Sequence, residues 1–201
     1  MKKLLIFIIC LSIPSIGFSQ ILTDLEEVSI LKDNLLAIKK DNKWGFINKE
    51  GALVIDFRDD FVLEKGKNNT PPFFNSDRCL IKKSNGNQYL YGYIDTSGKE
   101  VMKPQYLNAS NFNNGYAIVI TLLKDTVGYN EVLEKCITKS TLEEFVIDTY
   151  GNKVKYLENP RNCIPSNVTL KKPPSFHSKF IGPHLVAVLK KDNKWDIYEF
   201  Q

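Results

Sequence analysis

The chain has 201 residues, of which 27 are basic and 23 are acidic, giving a formal net charge of +4, and 43% of its residues are hydrophobic. This length and apolar content suffice for one domain with a sizeable core. Charges of both signs are interspersed along the chain, so the sequence does not predict a nucleic-acid-binding surface.

The N-terminus has the three-part pattern of a secretory signal peptide. Lys2 and Lys3 precede an almost unbroken apolar stretch over residues 4–13, and Gly17 and Ser19 supply the small residues of a cleavage site. The apolar stretch is too short to span a bilayer core of roughly 30 Å.

We therefore expect a signal peptide over residues 1–19 and a single mature domain over residues 20–201, with Gln20 as its first residue. The predicted localisation is the periplasm, the cell surface or the medium, with no transmembrane segment in the mature chain. Two alternatives are a buried N-terminal strand or helix and a lipoprotein modified at Cys10.

A six-residue segment occurs twice, first as Lys39-Lys40-Asp41-Asn42-Lys43-Trp44 and again over residues 190–195. The two copies are three steps of about 50 residues apart, an interval typical of repeat proteins. Two intermediate copies are therefore expected. The segments aligned in this way are Trp44-Gly45-Phe46-Ile47-Asn48, Tyr91-Gly92-Tyr93-Ile94-Asp95, Glu144-Phe145-Val146-Ile147-Asp148 and Trp195-Asp196-Ile197-Tyr198.

Turn signals follow each of the first three copies. Asn48, Asp95 and Asp148 begin four-residue turns, where a short polar side chain bonds to backbone amides two residues on. Gly51, Gly98 and Gly151 then take the left-handed conformation without steric cost. Two further hairpin turns are predicted at Asp41-Asn42 and Asn85-Gly86.

Helical patterns are scarce, and at most one short helix is expected. The candidates are residues 22–31, with apolar residues at helical spacing, and residues 135–145, where periodicity is weak. Residues 65–75 and 159–183 are rich in proline and glycine and are predicted to be loops.

The repeat resembles the bacterial WG-repeat family, also called KWG repeats, whose unit has a Lys-Trp-Gly-Tyr-Ile-Asp core followed by a glycine turn. Residues 43–48 and 91–95 match that core, whereas the third copy lacks the tryptophan and the glycine and the fourth has Asp196 in place of the glycine. The resemblance implies a single all-β domain of about four antiparallel hairpin units, the last one truncated, stacked as a solenoid or an open, propeller-like array. It implies no activity, cofactor or site residues.

The recurring aromatic residues have two interpretations. In the first, one large aromatic ring per unit packs against the next unit, and Gly45 and Gly92 allow a neighbour to approach closely. In the second, the rings form an exposed platform that binds sugars or quaternary ammonium groups. The platform residues are Trp44, Tyr91, Tyr93 and Trp195.

Three cysteines, Cys79, Cys136 and Cys163, remain after the predicted cleavage, and an oxidising compartment permits a disulfide between Cys136 and Cys163. The only histidines, His177 and His184, have no metal-ligand spacing, so neither a metal site nor a cofactor is predicted. No catalytic motif is found.

The sequence therefore favours an exported, non-enzymatic interaction module that binds an unidentified protein or envelope polymer. One alternative is a hydrolase of envelope polysaccharide that uses carboxylates from separate repeats. The other is a purely structural spacer.

Overall fold

The computed structural model describes residues 22–64, 70–86, 88–163 and 172–200. The predicted signal peptide lies outside these residues. The described chain is all-β and forms four antiparallel sheets in sequence order. Within these ranges no helix is long and apolar enough to cross a membrane.

The first sheet has four strands in the order β1-β2-β3-β4, and the second has three in the order β5-β6-β7. Their bounds are β1 Glu27–Val28, β2 Leu35–Lys40, β3 Lys43–Asn48, β4 Leu53–Arg58, β5 Cys79–Asn85, β6 Gln88–Ile94 and β7 Glu100–Tyr106. The aligned tryptophan and tyrosine of the first two repeats therefore lie in the middle strand of each hairpin unit.

The third sheet has the order β11-β10-β9-β8, with β12 also pairing with β10, and the fourth has the order β13-β14-β15. Their bounds are β8 Asn108–Ala109, β9 Tyr116–Asn130, β10 Lys135–Asp148, β11 Lys153–Tyr156, β12 Arg161–Asn162, β13 Ser178–Gly182, β14 Leu185–Leu189 and β15 Trp195–Glu199. The hairpin of β9 and β10 is about twice as long as the others and extends beyond its sheet as an exposed ribbon over residues 123–139.

The predicted turns that begin at Asn48, Asp95 and Asp148 are confirmed. The backbone N–H groups of Glu50 and Ala52 donate to Asn48 Oδ1 at 3.1 and 2.9 Å, and Asp95 and Asp148 accept equivalent pairs. The glycines that end these turns have φ between 82° and 85°. A further two-residue turn opens each unit, with bridges at 32–35, 75–78 and 113–116 and the pair Gly182–Leu185 in the fourth.

Both helix predictions are wrong. Residues 22–31 contain the short strand β1, and residues 135–145 lie in β10. In β10, Ile137, Thr138 and Thr141 are β-branched, and the strand pairs with β9 along its whole length, so pairing prevails over the weak helical spacing.

Each main core cluster lies between two consecutive sheets. The first joins Trp44, Phe46 and Ile55 to Ile81 and Ile94 of the second sheet. The second cluster joins Leu80, Tyr91 and Tyr93 to Val119 and Ile147, and the third joins Ile118 and Val146 to Val186 and Val188. Because alternate residues of a strand point to opposite faces, the second and third sheets are buried on both sides.

The glycine of the repeat permits a close backbone crossing. In the second sheet Tyr91 pairs with Tyr106 and Tyr93 with Met102, so β7 bulges opposite Gly92. A Cβ atom on Gly92 would lie 2.4 Å from the Met102 carbonyl oxygen, and one on Gly45 would lie 2.9 Å from that of Ile55. The neighbour that approaches these glycines is therefore the backbone of the following strand.

Disulfide formation between Cys136 and Cys163 does not occur in this structure, in which all three described cysteines are free. The Cys163 N–H donates to the Ser140 carbonyl oxygen at 2.9 Å. Ser140 lies four residues along β10 from Cys136, a distance of about 13 Å at roughly 3.3 Å per residue. A disulfide tolerates a Cα separation of at most about 7 Å.

Candidate binding groove

A groove of about 810 Å³ runs between the first two sheets and reaches the third. Its walls come from five places: the β2–β3 hairpin, the segment after β4, the β5–β6 hairpin, β8 and the residues 172–173 that precede β13. Residues that define it are Trp44, Phe61, Lys82, Tyr89, Tyr91 and Asn108. A second groove of about 720 Å³ shares Asp59, Lys82 and Tyr89 with it, so the two are continuous.

The connection after β4 forms one wall because it pairs with the next sheet. Phe61 bridges to Ile81, the Val62 N–H donates to Leu80 O at 3.2 Å, and the Lys82 N–H donates to Asp60 O at 2.8 Å. The connection after β7 also pairs with the next sheet, because it contains β8, which pairs with β9 of the third sheet. The groove therefore depends on contacts between units rather than on any single repeat.

The aromatic residues of the groove differ in exposure. Trp44 is 6% exposed and Tyr91 is also buried, whereas Tyr89 is 49% exposed. The Lys39 Nζ lies 5.9 Å from the centre of the Trp44 ring, and the Lys82 Nζ lies 5.2 Å from that of Tyr89. Tyr89 therefore offers the largest aromatic surface to a ligand.

The charges around the groove are partly paired. Lys39 forms ion pairs with Glu27 at 2.8 Å and Glu26 at 3.5 Å, and its hydrogen bond to Glu27 raises the pKa of its ammonium group. Arg58 binds Asp60 through two hydrogen bonds, at 2.5 and 2.6 Å, which raise the pKa of the guanidinium.

Within the described part of the chain, Lys82, Lys172 and Asp59 form no ion pair. These three charged side chains line the groove and are available to a ligand. Asn42 and Asn108, which line the same groove, add amide donors and acceptors.

The predicted aromatic platform is brought together only in part. Trp44 and Tyr91 meet in the groove. Tyr93 is fully buried in the second core, where its hydroxyl donates to Ser110 O at 2.6 Å and burial raises its pKa. Trp195 lies in the fourth sheet and is 48% exposed. The burial of Trp44, Tyr91 and Tyr93 agrees with the packing interpretation, whereas Trp195 is exposed outside the groove.

A buried carboxylate that the sequence analysis did not single out lies between the third and fourth sheets. Glu144 is fully buried and accepts hydrogen bonds from Arg161 Nη2 at 2.7 Å, from the His177 N–H at 2.9 Å and from the Ser178 hydroxyl. Glu144 aligns with Trp44 and Tyr91, and a carboxylate at an aromatic position is the signal that could have identified it. Each of these neighbours donates a hydrogen bond to the Glu144 carboxylate, so the cluster joins β10 to β12 and to the start of β13.

No group of three His, Cys, Asp or Glu side chains capable of holding a metal ion occurs within the described ranges. Burial raises the pKa of the Cys79 thiol, which keeps it protonated and unreactive at neutral pH. Cys79 does not line either groove.

The WG containing repeat family model matches residues 44–58 and 91–120. These segments hold β3 and β4 of the first unit, and β6 to the first part of β9 across the second and third units. No curated protein and no solved structure matches the chain. The family match, together with the strand-and-turn unit that recurs in all four sheets, identifies the chain as a protein containing WG repeats.

Proposed function

We propose that this protein is an exported, non-enzymatic interaction module that binds a protein or an envelope polymer through the groove. The observation that carries the proposal is the origin of the groove walls. Trp44, Tyr91 and Asn108 come from three successive sheets and meet around one cavity of about 810 Å³. A site of this kind exists only when consecutive repeats pack against one another.

We also propose that the four sheets stack as a solenoid or an open, propeller-like array. It is supported by the core clusters, each of which joins consecutive sheets. Stacking of units that cannot bury their apolar faces alone is the usual source of stability in repeat proteins.

The chemistry of the groove favours a polar polymer as the ligand. Tyr89 offers an apolar ring face, while Lys82, Lys172 and Asp59 offer charges without an ion-pair partner among the described residues. Stacking on an aromatic ring combined with hydrogen bonds from flanking polar groups suits a chain of sugars or an extended peptide.

Binding is tested by incubating the purified protein with an array of envelope polysaccharides and with an envelope extract. Tyr89→Ala should weaken specific binding about tenfold, the loss expected for one aromatic contact. Tyr150→Ala is the matched control, because Tyr150 is 82% exposed in a turn and does not line the groove. Equal affinity of the two variants, or no specific binding by the unmodified protein, would refute the proposal.

The same array distinguishes a hydrolase. Release of sugar fragments that is abolished by Asp59→Asn alone would replace the binding function with an enzymatic one. Asp59 is the groove carboxylate to substitute because it forms no ion pair within the described ranges, whereas Asp60 is held by Arg58.

Export is supported by the basic residues, apolar stretch and small residues of the N-terminus. N-terminal sequencing of the protein recovered outside the cytoplasm should begin at Gln20. Recovery of the intact N-terminus from the cytoplasm would contradict export.

A further inference from the structure

The residue that pairs with the aromatic position of the repeat is a lysine only in the two units whose hairpins wall the groove. Lys39 and Lys82 occupy this place, at the same register, in the first and second sheets. In the third and fourth sheets the equivalent pairing partners are Ile120 and Leu189. Lysine at this position is therefore not a requirement of the repeat fold, and it occurs where the groove is formed.

The two groove lysines differ in their charge partners. Lys39 is held by Glu27 at 2.8 Å, whereas Lys82 forms no ion pair within the described ranges. The Lys82 Nζ lies 5.2 Å from the centre of the Tyr89 ring. The second sheet therefore supplies the groove with a cation that is free to meet a ligand, next to an aromatic ring that is 49% exposed.

A second cation without an ion-pair partner lies at the third-sheet side of the groove. Lys172 is exposed and precedes Pro173 and Pro174, whose rings restrict the backbone. The Asn108 Nδ2 donates to the Pro174 carbonyl oxygen at 2.8 Å, which fastens this segment to β8. The groove therefore has one such cation on the second sheet and another beside the third.

We propose that the groove binds an acidic polysaccharide and that Lys82 and Lys172 hold carboxylates of its sugars. This inference rests on the proposed binding function of the groove and names the chemical class of the ligand. A lysine ammonium donates charge-assisted hydrogen bonds to a carboxylate, and the Tyr89 ring offers a surface to the apolar face of a sugar. Asp59, which also lines the groove, accepts hydrogen bonds from sugar hydroxyl groups.

The sheet edges along the groove favour a polysaccharide over an extended peptide. A peptide commonly binds by adding a strand to a free sheet edge. Here residues 60–62 already pair with β5, with the Lys82 N–H donating to Asp60 O at 2.8 Å, and β8 pairs with β9. Recognition in the groove therefore depends on side chains, and a ring, amides and charges suit the faces, hydroxyl groups and carboxylates of a sugar chain.

The charge requirement is tested with polygalacturonate, alginate and hyaluronate, each compared with its methyl ester. The ester keeps the sugar chain but removes the carboxylate charge. The unmodified protein should bind at least one of the three polymers, and the affinity for its ester should be at least about tenfold lower. Binding of the acidic form should also weaken when the salt concentration is raised from about 0.05 to 0.5 M, because exposed ionic contacts are screened.

Substitutions assign the effect to the two lysines. Lys82→Gln and Lys172→Gln should each lower the affinity for the acidic polymer about fivefold, the loss expected for one exposed ionic contact, while Lys82→Arg should keep it. Lys124→Gln is the matched control. It removes the same charge from an exposed position on β9 that lines neither groove. Circular dichroism checks that each variant is folded.

The outcomes separate this inference from the proposed function. Equal affinity for a polymer and its ester, unchanged binding by both glutamine variants, an equal loss with Lys124→Gln, or tighter binding of polyglutamate than of any polyuronate would each overturn the acidic polysaccharide. The binding function itself would stand if another polymer or an envelope protein bound and the Tyr89→Ala variant weakened that binding. Absence of specific binding to every polymer and protein tested would overturn both.

Discussion

Gly92 lies where β7 crosses β6, and its replacement by alanine is expected to destabilise the protein. A Cβ atom there would lie 2.4 Å from Met102 O, 2.7 Å from Pro104 N and 2.9 Å from Lys103 C, all of them backbone atoms. Real Cβ atoms essentially never approach other atoms within 3.0 Å, so the β7 backbone must shift. A flexible side chain could rotate away, but a backbone that is paired in a sheet cannot.

The magnitude follows from two opposing effects. Overpacking a well-ordered core costs about 1–3 kcal/mol, and a clash with three backbone atoms belongs at the upper end of that range. Replacing glycine with alanine in a strand otherwise gains about 0.5–1 kcal/mol, because the unfolded chain loses conformational freedom. The free energy of unfolding should therefore fall by about 2 kcal/mol, which lowers the melting temperature by roughly 4–8 °C.

Gly128→Ala is the matched control. Gly128 also lies in a strand, β9, but a Cβ atom there would meet only the Ile137 side chain, at 3.8 Å. Its replacement should leave stability unchanged or raise it slightly. Urea unfolding followed by tryptophan fluorescence measures both variants, since Trp44 is buried in the first core cluster. A Gly92→Ala variant as stable as the unmodified protein would refute the explanation given for the glycine of the repeat.

Three further predictions concern single side chains. Glu144→Ala should lower the free energy of unfolding by about 3–5 kcal/mol in urea titrations, because it leaves the largely buried Arg161 without its carboxylate partner. Burial opposes ionisation of the Asp95 carboxyl, but hydrogen bonds from Ser97 and nearby amides outweigh this effect and lower the pKa of Asp95. The stability that Asp95 contributes is therefore present above about pH 4 and is lost as the pH falls below that value. Asp95→Asn should therefore lose less stability than the unmodified protein between pH 7 and pH 3. A thiol reagent should modify the exposed Cys136 within minutes in the native protein, while the buried Cys79 should react only after unfolding, as mass spectrometry of labelled peptides would show.

The turns could be predicted from the sequence because their determinants are local. Asn48 and Asp95 bond to amides two and four residues on, and the glycine that ends each turn needs only its own backbone freedom. The positions of the strands between these turns could then be predicted from the repeated segments. The two-residue turns that open the first two units were not singled out, since Asp33-Asn34 and Ser76-Asp77 have positive φ without any glycine.

The groove could not be predicted because its walls are set by non-local contacts. The short stretch around Phe61 has no strong strand signal, yet it pairs with the second sheet and closes one side of the cavity. Exposure of the aromatic residues depends on the same contacts. Trp44 and Trp195 end identical segments, yet Trp44 is buried by packing against the second sheet, whereas Trp195 is 48% exposed.

The third unit shows how the aromatic and the glycine of the repeat depend on each other. Phe145 occupies the position of Gly92. Here Phe145 lies opposite Tyr156 and Val146 opposite Lys155, with the Phe145 and Tyr156 rings 5.1 Å apart, and the register shifts only at the next step, between Val146 and Ile147. Without the glycine the following strand cannot cross closely, so β11 lacks the bulge that β7 has at this position. At the preceding position Glu144 replaces the aromatic ring, and it is bound by Arg161 from β12 of the same sheet and by Ser178 from the fourth sheet. Where the close crossing is lost, hydrogen bonds from the His177 N–H and the Ser178 hydroxyl to Glu144 therefore add to the apolar packing between the third and fourth units.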